Sequence, residues 1–453
     1  CADYSISSSG YTAAAAVSSY FGASDSNFAR PLQRMSPLMS FLNKFLAACG
    51  DVNRNVMCSA NPLQSHAHAE AFKMSCDIQE ALLPRTSAYH EIWLDKKPVV
   101  GYKDIEPLYS ERYLPRKFKI GVTVEGDNSI DVFINDIGIV VKEDLSGANV
   151  YVGGGLGRTH GKETTFARAA SPLGFFTDEE LVPALKAVVA AQRDHGNREV
   201  RANARLKYLV HTLGQDAFRA LVESYLGRPI APVAELKEWR YSDWMGWHAA
   251  GDGTLFVGIN CEQGRVRDYA AGGPQWRAFL RACVTEVGAD FILSPTQSIV
   301  VTNVAPDHRA TVERLMAEHR ILPIEAVDPL TRLSMACPAL PLCGLAVTEA
   351  ERLMPTMITR VRAVMDHLGL LDEEVMMRMT GCPNGCGRPY MAELGFVGAR
   401  SGTLSGIFTG ASTCMRSGLS RAPRLSGTVR WRRLAGRSAQ APPTSGPVSG
   451  VRR

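Results

Sequence analysis

The sequence predicts an α+β fold in which mixed sheets are flanked by helices, and three observations carry that prediction. Short β-rich runs and amphipathic helical stretches intermix through the interior of the chain. No solenoid-length repeat is visible, and a content of 45% hydrophobic and 21% charged residues is that of an ordinary globular protein. The 453 residues suffice for about two to four domains, each with a sizeable core.

In chain order, Lys117 to Val124 and Ile130 to Val141 read as strands, and Asp127, Asn128 and Ser129 between them predict a hairpin turn. Leu181 to Ala191 reads as a helix. Phe291 to Asn303 contains strand-like pieces around Pro295, and Ala310 to His319 reads as a second helix. From Val347 a third is expected, because Leu353, Met357, Val361, Val364 and Leu368 recur at helical spacing. Pro355 fits its first turn and Gly369 its end. A short alternating strand through Val375, Met377 and Met379 follows.

The formal charge of +5 belongs to one end. Positions 399 to 453 hold ten arginines, no lysine and no acid, which leaves 40 basic and 45 acidic residues, a net charge of −5, in positions 1 to 398. A nucleic-acid partner is therefore not expected, and no apolar run is long enough for a membrane-spanning helix. The Arg-, Ser-, Gly- and Pro-rich tail is expected to stay solvated, since such composition buries too little apolar surface to fold alone. Residues 1–45 are rich in Ser and Ala, lack the order of a secretory signal, and hold few of the arginines of a transit peptide.

Eleven cysteines are too sparse for a disulfide scaffold, so their spacing decides their role. Cys337 and Cys343 have five residues between them, Cys382 and Cys386 have three, and both pairs lie in loops punctuated by Pro and Gly. A helix and a strand between the loops can return the chain so that four thiolates converge. Three readings stay open: a zinc site, for which a spacer of five is unusual, four buried thiols, or an iron-sulfur cluster. Glycines at 381, 385 and 387 favour the cluster, because they let backbone amides approach its sulfurs.

The segments AlaCysProAlaLeuProLeuCys and ThrGlyCysProAsnGlyCysGlyArgProTyrMetAlaGluLeuGly that carry these cysteines resemble the cluster segment of the assimilatory sulfite reductases and their nitrite-reducing relatives. The resemblance extends through residues 48–56, 114–119, 151–160 and 192–198, and covers about 46 to 398 in one collinear order. Its wording is nearer to the ferredoxin-dependent plastid and cyanobacterial enzymes than to the NADPH-linked subunit. It implies six-electron reduction of sulfite at a sirohaem coupled to a 4Fe-4S cluster, with ferredoxin as donor, in a monomeric protein of the plastid stroma or cytoplasm. Nitrite as substrate, or a non-catalytic iron-sulfur protein, are the alternatives.

Residue by residue, the resemblance implies that Cys337, Cys343, Cys382 and Cys386 hold the cluster, and that Cys386 also ligates the sirohaem iron. Arg54, Lys117 and Lys119 match substrate-facing cations and Arg205 a ligand of a sirohaem carboxylate; Asn53 is expected among the cofactor-binding residues and, sitting beside Arg54, to orient it. A two-residue spacing puts Lys117 and Lys119 on one face of a strand, as a shared anion requires. Without the resemblance, LysPheLys is equally a solvated strand face. Gly153, Gly154 and Gly155 fail both nucleotide-loop patterns, so they are expected to permit a close backbone approach or a turn. His66, His68, His160 and His195 have no ligand cluster around them and read as structural or surface residues.

The same resemblance divides the chain into a sirohaem and substrate domain at 46–243, a ferredoxin-like half-domain at 244–323 and a cluster domain at 324–398. Residues 1–45 lack the family's LeuProGlyGly and ThrArgGln-type motifs, and the tail from 399 is expected to replace the family's closing strand and helices.

Overall fold

The computed structural model describes residues 51–408, apart from breaks at 60–64, 86–90, 95–96, 102–105, 111, 160–161, 240, 242, 271 and 401–402. Cys49, His160, the Ser- and Ala-rich residues 1–45 and the Arg-rich stretch past 408 lie outside the described residues.

The first sheet begins with β1 (Asn53–Cys58), which leads into α1 (His66–Ala81). A separate hairpin, β2 (Glu91–Leu94) with β3 (Lys97–Gly101), precedes β4 (Phe118–Val124), β5 (Ile137–Val141), β6 (Ala148–Val152) and β7 (Ser171–Phe176). The order is β1-β4-β5-β6-β7, with the first three strands parallel and the rest antiparallel. Ile120, Val122, Ile137, Ile139 and Val150 bury one face against α1 and α2 (Asp178–His195). The sequence starts α2 at Thr177, whose backbone N–H donates to the Glu180 carboxylate at 3.0 Å, with three acids in the first turn favouring the positive end of the helix dipole. α3 (Leu206–Leu213) and α4 (Gln215–Leu226) complete this layer.

The strands β4 and β5 lie where the sequence puts them, but they pair parallel and are not a hairpin. Asp127 and Asn128 do turn the chain: their side-chain oxygens accept the N–H groups of Ser129 (2.8 Å) and Val132 (2.9 Å). The chain then passes through left-handed Asp131 (φ 52°) and a 3-10 turn at Val132–Ile134 before β5 starts. Residues 125–136 thus form the crossover that a parallel pair demands, about a dozen residues long.

The second sheet is antiparallel, in the order β10 (Asp290–Leu293), β11 (Ile299–Val304), β9 (Leu255–Ile259), β8 (Gly246–Ala249). Val257 and Val301 pack under Trp276 and Phe279 of α5 (Trp276–Ala282) and Val312 and Leu315 of α6 (Arg309–Glu318). The short α7 (Pro329–Arg332) leads to the third sheet, in the order β12 (Met335–Ala336), β13 (Met377–Thr380), β14 (Leu394–Arg400), β15 (Thr403–Phe408).

Two expectations change here. The helix between the cysteine loops, α8 (Met354–His367), starts seven residues later than Val347 and buries Met354, Met357, Ile358 and Met365, leaving Val364 and Leu368 exposed. The row 357–361–364–368 drifts off the core face, whereas 354–358–361–365 stays on it. The second change is the end of the fold: β15 lies past Gly398, inside the stretch expected to be unfolded, and pairs antiparallel with β14.

The first and third sheets share one topology. Each runs strand, helix, strand, 3-10 turn, strand, strand, as β1-α1-β4-β5-β6 and β12-α8-β13-β14-β15, with three parallel strands and an antiparallel last one. Asp131 and Arg388 hold the same place in the two repeats, a left-handed residue at φ 52° just before the 3-10 turn.

Candidate functional site

Because β12 and β13 are adjacent and parallel, their C-terminal ends deliver both cysteine loops to one edge of the sheet. Cys337 follows Ala336, and Cys382 follows Thr380 and Gly381. The Cys337 N–H donates to the Met379 carbonyl (3.1 Å), and the Val347 N–H to that of Gly381 (2.8 Å). The Cys337 sulfur accepts the Gly381 N–H (3.2 Å) and the Thr380 hydroxyl (3.5 Å), so an amide does aim at a thiol as the glycines suggest. Gly387 is fixed by space: a Cβ there would lie 2.2 Å from the Met379 carbonyl oxygen.

The four thiols act on one another. Burial first, against the Asn384 backbone and with the charges of Cys386, Cys337 and Cys343, pushes Cys382 up to about 11. Cys337 is raised by burial, against the Gly381 amide and Thr380 hydroxyl. Among the described residues no three His, Cys, Asp or Glu side chains close on one ion position. A single zinc at about 2.3 Å from each sulfur needs its thiolates about 3.8 Å apart. The donor set is all sulfur, which suits a soft metal group whose positive charge would draw off the protons that burial retains.

Facing these sulfurs is a group of cations on the first sheet. Phe118 and Ile120 of β4 point into the core, and Lys119 between them points to the other face. Burial lowers Lys119 to about 7, helped by Lys117 and Arg205 and opposed by Cys386 and Asp136. Lys117 is lowered by burial, then by Arg205, Arg54 and Arg116, and it too senses Cys386. Arg54, Lys117, Lys119, Arg205 and Cys386 therefore share one electrostatic neighbourhood. Cys386 is exposed among the described residues, so its sulfur can meet a ligand there.

Asp136 organises this side. It accepts Arg205 Nη2 at 2.7 Å and the Lys119 N–H at 3.0 Å, with its side chain fully buried. Asn53 is placed differently from the other expected site residues. It is in register with core Phe118, it is buried while Arg54 is exposed, and neither atom of its amide has a hydrogen-bond partner among the described residues. Its side-chain amide therefore makes no hydrogen bond to Arg54 among the described residues.

Three functional candidates escape the sequence reading. Arg116 joins the cation group, and its neighbour LysPheLys is the signal that could have found it. Asp136 is one acid in a β-rich run, and Lys207 reads as an ordinary helix lysine, so neither gives a signal. Lys207 is fully buried and its Nζ donates to the carbonyls of Gly155 (3.2 Å), Gly157 (2.6 Å) and Phe166. It pins the glycine-rich loop, whose Gly154 lies so close to the crossover that a Cβ would be 2.2 Å from the Phe133 carbonyl oxygen. The same loop reaches the cysteines, since the Arg158 N–H donates to the Pro383 carbonyl at 2.8 Å. Gly155 keeps the Arg168 N–H as a second donor, so Lys207→Met should cost about 2 kcal/mol or more, at about 1–3 for each of the Gly157 and Phe166 carbonyls left unpaired, read as a fall in the denaturant midpoint at unchanged slope.

Comparison with known proteins bears on this arrangement. The profile of the nitrite and sulphite reductase 4Fe-4S domain matches residues 73–230. The sulfite reductase (NADPH) hemoprotein beta-component of Chromohalobacter salexigens is 41% identical over 403 residues, 86% of this chain and 69% of the relative. This chain belongs to the nitrite and sulfite reductase family. The ferredoxin sulfite reductase of Synechococcus elongatus is 47% identical over 385 residues, 80% of this chain. The chain spans 61% of that relative's length. The solved Mycobacterium tuberculosis NirA protein has the same fold, with a TM-score of 0.61 at 21% identity over 86% of this chain and 65% of that one.

As a member of the nitrite and sulfite reductase family the chain has the mixed α/β architecture that its sequence predicts. No helix among the described residues is long and apolar enough to cross a membrane. Its thiols outside the two loops are of another kind: burial pushes Cys58 up to about 12 and raises Cys261 as well. Cys58→Ser and Cys261→Ser should each keep the iron content of the parent chain, as measured by iron per chain. Loss of iron in either would move the ligand set away from the paired loops.

Proposed function

We propose that this chain reduces sulfite to sulfide by six electrons in assimilatory metabolism, taking them from reduced ferredoxin. The observation that carries the proposal is that Lys117 and Lys119 sense both the cations Arg205 and Arg54 or Lys117 and the sulfur of Cys386, so that an anion site and a thiolate loop coincide. Cys337, Cys343, Cys382 and Cys386 would hold a 4Fe-4S cluster, and Cys386 would also hold the iron of a sirohaem. When bound, these groups supply the electron transfer and the activation of the sulfur centre.

The protein's own part is charge, orientation and protons. Arg54, Lys117 and Lys119 would face the oxyanion, and Arg116 adds positive charge beside them. A desolvated group of cations attracts an anion far more strongly than the same cations in water. Arg205, braced by Asp136, would meet a carboxylate of the macrocycle, and Asn53 would hold the start of the Arg54 strand through its N–H to the Tyr109 hydroxyl. With its pKa drawn to about 7, Lys119 holds a proton near neutrality that it can release to an oxygen leaving sulfur. The accompanying division assigns 46–243 to sirohaem and substrate, 244–323 to a ferredoxin-like half-domain and 324–398 to the cluster.

Ferredoxin as donor is supported by the 47% identity to the Synechococcus elongatus enzyme, against 41% for the Chromohalobacter salexigens hemoprotein named for NADPH. Such a protein would work as a monomer in a cytoplasm or plastid stroma that keeps ferredoxin reduced. The test is co-expression with the sirohaem synthesis pathway, followed by visible spectroscopy and sulfide formation from sulfite with reduced ferredoxin. A Soret band, a long-wavelength band and sulfide are expected. Broad absorption alone, with no sulfide, would overturn the proposal in favour of a bare iron-sulfur protein.

A further inference from the structure

Two buried arginines meet on one carboxylate of the β4–β5 crossover. Arg378 Nη1 donates to Asp131 Oδ2 at 2.6 Å, and Arg388 Nη1 lies 2.9 Å from the same oxygen. Asp131 is 2% exposed, Arg378 0% and Arg388 7%. Arg378 also donates to the Tyr241 hydroxyl (3.1 Å), and Arg388 to the Pro295 carbonyl in the β10–β11 loop. The arginines bracket one cysteine loop: Arg378 precedes Cys382 by four residues and Arg388 follows Cys386 by two. Asp131 belongs to the crossover that leaves β4, the strand of Lys119. Two guanidinium groups against one carboxylate leave a net positive charge in a medium that screens it poorly.

We propose that Asp131 is a positioning residue: through Arg378 and Arg388 it fixes the Cys382–Cys386 loop against the crossover of the cation-bearing strand, and it sets the charge that the loop's sulfurs sense. Its equivalence to Arg388 in the two repeats explains the arrangement, since each repeat offers a charge of opposite sign from the same left-handed corner. The electrostatic half of this inference rests on the cluster assignment given above; the positioning half does not.

Two measurements on the full chain test it. In iron-free protein, Asp131→Asn should speed amide exchange across residues 380–388 at least tenfold and leave α2 unchanged. In iron-loaded protein, Asp131→Asn should raise the cluster's midpoint potential and Arg388→Gln should lower it, each by about tenfold in the one-electron equilibrium, or about 59 mV. Opposite signs follow from charge, whereas loosened packing moves both variants the same way. Unchanged exchange in Asp131→Asn, or shifts of one sign, would overturn the proposal. If Asp131→Asn fails to accumulate, Arg388→Gln decides alone, because it must both loosen the loop and lower the potential. A parent chain that binds no iron would refute the functional reading, and the exchange experiment would still judge the positioning role.

Discussion

Cys386→Ser is expected to abolish sulfite turnover while leaving the iron-free chain folded. Cys386 is the exposed member of the four, so its sulfur contributes little to packing, and a surface substitution of this kind changes stability by about 0.5 kcal/mol at most. Its charge nevertheless acts on Cys337 and Cys382 on one side and on Lys117 and Lys119 on the other. Among the described residues no other thiol acts on Lys117 and Lys119 as well as on the cysteine loops. Serine keeps the shape but is a poor ligand for iron in a soft sulfur set. Turnover, iron per chain and the thermal midpoint of the iron-free protein should be compared; normal turnover would remove Cys386 from the site.

The second large effect is expected at Lys119, and it has opposite signs for rate and stability. Lys119→Met removes a preorganised cation from an anion site, a loss that typically costs about 2.7–4 kcal/mol, or a factor of about a hundred to a thousand in turnover. In the folded chain Lys119 titrates near 7, well below the ordinary 10.5, chiefly because burial disfavours its charged form. Between those two values the unfolded chain binds more protons than the folded one, so this group makes stability rise with pH across that window. The cost is fully present below about 7 and vanishes above about 10.5. Iron-free Lys119→Met should therefore be more stable than the parent at pH 6 and equal to it at the alkaline end of the window. Lys117→Met should follow the same directions. Turnover unchanged in both variants would remove Lys117 and Lys119 from the anion site.

What the sequence discloses depends on the range of the interaction. The cysteine loops were legible because Pro and Gly punctuate strand ends locally, and the loops that carry Cys337 and Cys382 do leave the adjacent ends of β12 and β13. The helix of the third sheet was legible in kind but not in register, since one apolar row among several decides which residues are buried. The hairpin expected at 127–129 failed because an Asx turn starts a hairpin and a crossover with the same residues. β15 was hidden by averaging over a tail of biased composition. The Asp131–Arg378 pair spans 247 positions, and nothing local marks either partner.

The shared topology of the first and third sheets has a consequence for how the protein comes apart. Arg54, Arg116, Lys117 and Lys119 belong to one repeat and the paired-loop cysteines to the other, and the described contacts that join them include the Asp131 ion pairs and, from the glycine-rich loop that follows the first repeat, the Arg158 amide. A group seated between the repeats would stitch two separately cored halves into one cooperative unit. Loading would then show in the sharpness of unfolding as well as its midpoint: the empty chain can part along the seam, and the filled one must melt as a whole.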